Sequence, residues 1–172
     1  MKKQVGFTLI EVLIYLALFG IMFGGVMIAA YNVFESTGRN ETKAMVQEEG
    51  DFLMAKIDWT ISGAQSVTSP ASGVSCVSPA CPLSVIKWDT SIGNPVVVTM
   101  NGTNMTLSRG SSAAVTLNND NVQVSNLSFA HNNDSGDGIA PESIQAQFTV
   151  STKTANGSAY SQIFKSTNYL RK

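Results

Sequence analysis

The 172-residue chain has one histidine, two cysteines and no proline before Pro70. Each scarcity excludes something. A lone His131 with Cys76 and Cys81 close together cannot supply a Ser-His-Asp, Cys-His or multi-ligand metal constellation, so no catalytic residue and no metal ligand is assigned. Without proline, the usual cause of a sharp helix kink is missing from everything before Pro70. The formal net charge is -1 and no segment is strongly basic, so this chain alone has no electrostatic footprint for nucleic acid. The most informative absence is local: between Glu11 and Glu35 there is no Asp, Glu, Lys or Arg.

What fills that gap is almost wholly apolar. Residues 12–34 are long enough to cross a bilayer core as a helix. Lys2 and Lys3 precede the run and no cation follows it at once, which places the N-terminus in the cytoplasm and everything from Glu35 onward outside. A secretory signal peptide would carry small residues and a cleavage site behind its apolar core. Here a polar leader, residues 1–6, comes first, and the apolar run begins directly with Phe7.

The string Gly6-Phe7-Thr8-Leu9-Ile10-Glu11 resembles the processing motif of type IV prepilins and type II secretion pseudopilins. The resemblance implies that a prepilin peptidase cuts between Gly6 and Phe7 and methylates the new Phe7 amine, leaving residues 7–172. A glycine before the cut lets the backbone lie close to a protease. Glu11 is then a carboxylate carried into an apolar helix, costly there unless paired. In the family its partner is the Phe7 amine of an adjacent subunit; the alternative is an anchor whose Glu11 snorkels to water. Gly20 and Gly24 form a G-x-x-x-G pair suited to close helix packing in lipid, or equally a place where the helix loosens.

The resemblance also implies partners: prepilin peptidase, other pilin subunits and, indirectly, an inner-membrane platform protein and an assembly ATPase. The location implied is the inner membrane, then a filament. Many major pilins carry a proline in the second half of the membrane segment; its absence here favours a minor subunit. The tip-most minor subunit of type II systems lacks the glutamate, so Glu11 argues against that position. A major subunit, or a surface adhesin or DNA-uptake module displayed on a pilus, remains the alternative.

Past Phe34 the helical pattern becomes amphipathic, with Met45, Phe52, Leu53, Ile57 and Ile61 at helical spacing and Glu35 and Arg39 four apart on the wet face. One helix over residues 7–62 would be roughly 80 Å long. After Gly63 the chain reads as strands: residues 83–88, 96–100 and 105–107, with Asn101-Gly102 supplying a positive-φ hairpin pair. Val122 and Val124 alternate out of phase with Leu127 and Phe129, as a bulge would cause. Ile144 to Val150 and residues 160–170 give two further strands. The expectation is an α+β protein: a leader at 1–6, a membrane or filament-core helix at 7–34, its amphipathic continuation at 35–62, and a β-rich head at 63–172. The helix packs on an antiparallel sheet, which is also the pilin architecture.

In an oxidising location Cys76 and Cys81 can close a local disulfide around a Ser-Pro turn, with two free thiols as the alternative. The loop from Asn132 to Gly138 is rich in amide and carboxylate oxygens, which suit calcium. An EF-hand frame starting at Asn133 puts Ile144 where a bidentate Glu belongs, so a solvated loop is the default and no cofactor is assigned.

Overall fold

The charge-free run and the amphipathic stripe that follows it join into one helix, α1, Leu9–Ile61. The computed structural model describes residues 8–132, 141–152 and 160–170. The chain divides into two compact units, Met1–Glu41 and Thr42–Lys172, and α1 contributes residues to both. In the first unit the large apolar side chains from Leu9 to Phe34 are exposed, and the segment is long and apolar enough to cross a membrane. Arg39 pairs with Glu35 one turn earlier, as the spacing predicts.

In the second unit α1 buries Val46, Gly50, Leu53, Ile57, Thr60 and Ile61. These recur at intervals of four and three, which keeps them on one face. Two of the residues expected on that face are not there: Met45 and Phe52 are exposed. Each stands one position before a buried residue, about 100° around the helix. Phe52 instead lies under the Lys56 ammonium, 5.3 Å from its ring centroid.

Gly63, with φ of +71°, follows the last helical turn, a conformation that favours glycine. The helix end is also capped from outside. Lys87, 4% exposed, donates its Nζ to the carbonyls of Trp59 and Ser62, and lies 3.7 Å from the Trp59 ring centroid. A lysine there answers carbonyls that the last turn leaves without amide partners. Burial, and then the neighbouring Arg109 charge, hold the Lys87 pKa below the ordinary lysine value, with Asp89 pulling the other way.

Among the described residues nine strands follow: β1 Ala64–Ser69, β2 Ser75–Val77, β3 Leu83–Lys87, β4 Val96–Asn101, β5 Asn104–Arg109, β6 Val115–Thr116, β7 Val122–Asn132, β8 Ser143–Thr152 and β9 Ser161–Tyr169. They form not one sheet but two, ordered β1-β3-β4-β5-β6 and β2-β7-β8-β9, with every pairing antiparallel. A short 3₁₀ turn, Thr90–Ile92, precedes β4. Its cap, Asp89, accepts from the hydroxyl and the amide of Ser91, bonds that hold its carboxyl below the usual range.

The β4–β5 hairpin sits where Asn-Gly predicts one, but the turn is shifted by a residue. Asn101 pairs with Asn104, so the two-residue loop is Gly102-Thr103, with φ of +62° at Gly102 and no positive φ at Asn101. That is the φ pattern of a II′ turn, which needs glycine only at its first central position. The phase change in β7 is a bulge: Ser125 pairs with Thr149 and Ser128 with Gln147, leaving Asn126 and Leu127 opposite Phe148 alone. Asn126 takes a φ of +55°, tolerated best by asparagine among residues with a Cβ.

One core joins α1 to both sheets within the second unit. Leu83, Val85, Val96 and Val98 come from the first sheet, and Val124, Leu127, Phe129, Ile144, Phe148 and Val150 from the second. Gly50 permits the closest approach: a Cβ there would lie 2.0 Å from the Phe164 ring, which stacks on Phe148. Polar ties fix the helix along its length. Glu49 accepts from the Asn119 amide and side chain, Gln162 donates to Gln47, and Asp58 accepts from Ser166 and Asn168.

Candidate functional site

The sequence directs attention to the start of α1. Thr8 directly precedes the helix, and its carbonyl accepts from the amides of Glu11 at 3.1 Å and Val12 at 3.3 Å. Glu11 therefore occupies the first turn, where free amides and the helix dipole favour an anion. Its Oε1 accepts from the Tyr15 hydroxyl at 3.2 Å. Tyr15 lies beyond the string from Gly6 to Glu11, although its four-residue spacing from Glu11 puts the two side chains on one helical face. One phenol hydrogen bond does not neutralise a carboxylate. Gly6 and Phe7, the residues of the expected cleavage, lie outside the described residues.

Gly20 and Gly24 lie one above the other on α1, with Gly25 beside them, and a Cβ at any of the three would meet nothing within 4 Å. The first unit thus makes no use of their smallness. Phe19 and Phe23 stack at a centroid distance of 5.8 Å along the same segment.

The other assigned residues are in the second unit. Cys76 and Cys81 form a disulfide, with a Cα separation of 5.8 Å. Between them the Ser78 amide donates to the Leu127 carbonyl in β7, while the Ser78 Oγ accepts from the Met100 amide in β4. The closed loop therefore touches both sheets. His131, at the end of β7, is buried. Its Nδ1 lies 2.9 Å from the Pro70 carbonyl and its Nε2 2.7 Å from Glu142 Oε1. Its contacts serve to hold the Pro70 segment against β7. Of the oxygen-rich loop suited to calcium, residues 132–138, all but Asn132, the last residue of β7, lie outside the described residues, and no cluster of three or more His, Cys, Asp or Glu suited to a metal occurs among the described ones.

Against this geometry, the family described as the prokaryotic N-terminal methylation motif matches residues 1–27. The match covers the leader, the Gly6-Phe7 junction, Glu11 and the first part of the exposed apolar helix. The chain thus carries the signature of type IV prepilins and pseudopilins, that of a prepilin-peptidase substrate associating with other pilins. Neither the curated proteins nor the solved structures provide a match to the chain.

Proposed function

We propose that the chain is a structural subunit, a minor pilin or pseudopilin, of a type IV pilus-like or type II secretion filament, and that assembly rather than catalysis is its activity. The observation that carries this reading is the methylation motif running directly into an exposed apolar helix with Glu11 in its first turn. Before assembly the helix is an inner-membrane anchor, N-terminus inside and head outside. A platform protein and a cytoplasmic ATPase would then draw it into the filament.

Glu11 dominates the electrostatics of this step. An unpaired carboxylate within the apolar region of a bilayer costs about 2.5–3.5 kcal/mol on insertion scales near the helix centre, and less towards the interface. Cleavage at Gly6-Phe7 creates a cation that stays charged when methylated once. That amine on a neighbouring subunit completes the neutralisation that the Tyr15 hydroxyl only begins. Pairing of this kind sets the axial register of neighbours while apolar helix packing supplies the bulk of the attraction.

Mass spectrometry of the membrane-extracted protein tests the first step, with methyl-Phe7 as the expected N-terminus and an intact Met1 as the outcome that overturns the reading. Glu11→Ala tests the second. The variant should be processed and retained in the membrane, yet its recovery in sheared filaments should fall at least about tenfold, the effect of roughly 1.4 kcal/mol. Normal recovery would remove Glu11 from the mechanism.

A further inference from the structure

We propose that a cavity of about 400 Å³ at the C-terminal end of α1 is a binding site for a neutral saccharide. Its size falls within the range of small-molecule sites, about 300–1,000 Å³. Asp58, Ser62, Gly63, Trp88, Asn168 and Tyr169 line it, all within the second unit. They come from the helix end, the segment after β3 and the end of β9, and the Trp88 amide donates to the Gly63 carbonyl at 3.2 Å.

Two features of the lining go beyond what folding requires. Trp88 and Tyr169 are 69% and 64% exposed, so two large rings at one cavity stay in water. Below them Asp58 is held in a fixed orientation. Its Oδ1 accepts from Asn168 Nδ2 at 2.7 Å and from Ser166 Oγ at 3.2 Å, while no hydrogen bond among the described residues engages Asp58 Oδ2 or Asn168 Oδ1. Two acceptors are thereby left without an internal donor on residues that line the same cavity as the two rings.

The charges around the cavity select the ligand class. The Asp58 carboxylate forms one wall, whereas the buried Lys87 ammonium, on the Ser62 carbonyl at 3.0 Å, is not among the lining groups. An anionic ligand would be repelled by the Asp58 carboxylate, and a cationic one is the alternative that tetramethylammonium tests. An uncharged polyol avoids that repulsion and can use both acceptors. Its hydroxyls can donate to Asp58 Oδ2 and Asn168 Oδ1, and the C–H face of a pyranose ring can lie on indole or phenol. This inference is independent of filament assembly, and its failure would leave that reading intact.

The test uses the full chain in phosphatidylcholine nanodiscs, titrated with maltotriose, cellotriose and chitotriose while tryptophan emission is followed. The chain has only two tryptophans, and Trp59 is enclosed by Lys87 and Arg109, so a ligand-dependent change reports on Trp88. The expected result is a saturable blue shift with at least one trisaccharide, half-complete below about 10 mM. Because Trp88 is itself the fluorophore, the variants are compared by isothermal titration calorimetry: binding should be lost in Trp88→Ala, kept in Trp88→Phe and weakened at least about tenfold in Tyr169→Ala. Both positions are exposed, so the variants keep the fold. The proposal is overturned by the absence of a saturable response to all three sugars, or by binding that survives Trp88→Ala. It is equally overturned if acetate or tetramethylammonium reproduces the shift, or if the shift follows protein concentration alone, the mark of a second copy in the cavity.

Discussion

Two stretches of α1 with similar apolar side chains meet opposite fates. From Leu9 to Phe34 the large hydrophobics are exposed in the chain by itself, whereas Val46, Leu53, Ile57 and Ile61 are fully or almost fully buried. Composition does not separate the two; the provision of a partner does. The later stretch has polar residues on its other face and two sheets from its own chain to cover the apolar one. The earlier stretch is apolar all round, and its complement has to come from outside the chain, as lipid or as other subunits. The fold of the second unit is thus a property of one chain, and that of the first a property of its surroundings.

The sharpest way to test this contrast is to make one substitution on each side. Leu53→Ala should cost the second unit about 3 kcal/mol, since it deletes a fully buried side chain from the centre of the core. Leu13→Ala, at an exposed position, should leave the same urea transition unmoved within about 0.5 kcal/mol. Equal shifts would mean that the first unit contributes to the stability of the second. Next in size is the disulfide. The double substitution Cys76→Ser and Cys81→Ser should lower stability by about 2 kcal/mol through the small loop it opens, and should leave the membrane segment unaffected. The glycines give the smallest effect but the clearest sign. Gly50→Ala brings a Cβ onto the Phe164 ring and should destabilise by about 1–2 kcal/mol despite the better helix propensity. Gly20→Ala meets open space and should cause no loss. A stabilising Gly50→Ala would show that Phe164 moves aside without cost.

Much of this was legible in the residues, for identifiable reasons. The processing motif is contiguous and could be read without a structure, and the charge-free run marked the first part of α1. Strands β3, β4, β5, β7, β8 and β9 alternate or are rich in β-branched residues, and their existence followed from that. What stayed hidden depended on distant pairings. Strand β2 is three residues long and exists because Cys76 lies opposite Phe129, more than fifty positions away; β6 is two residues. The division into two sheets rests on such pairings. The choice of Val46 over Met45 was equally invisible, because both are apolar and only the position of the sheets decides which faces them. The cavity beside Trp88 draws on three separated segments, and no local motif announces it. Gly50 did leave a trace, since a glycine within a helix lowers its propensity and suggests a packing reason.

The bulge at Asn126 has a consequence beyond β7 itself. With a repeat of two, a strand assigns its side chains to inside and outside by counting, and one added residue inverts the count for everything downstream. Val122 and Val124 face inward before Asn126; Leu127, Phe129 and His131 face inward after it. Removing a single residue here would not merely shorten the strand. It would turn Phe129 and His131 out to solvent, bring Ser128 and Ala130 in, and undo the His131 contact that holds Pro70. A local count of one thus governs whether His131 reaches the Pro70 carbonyl and ties that segment to the end of β7.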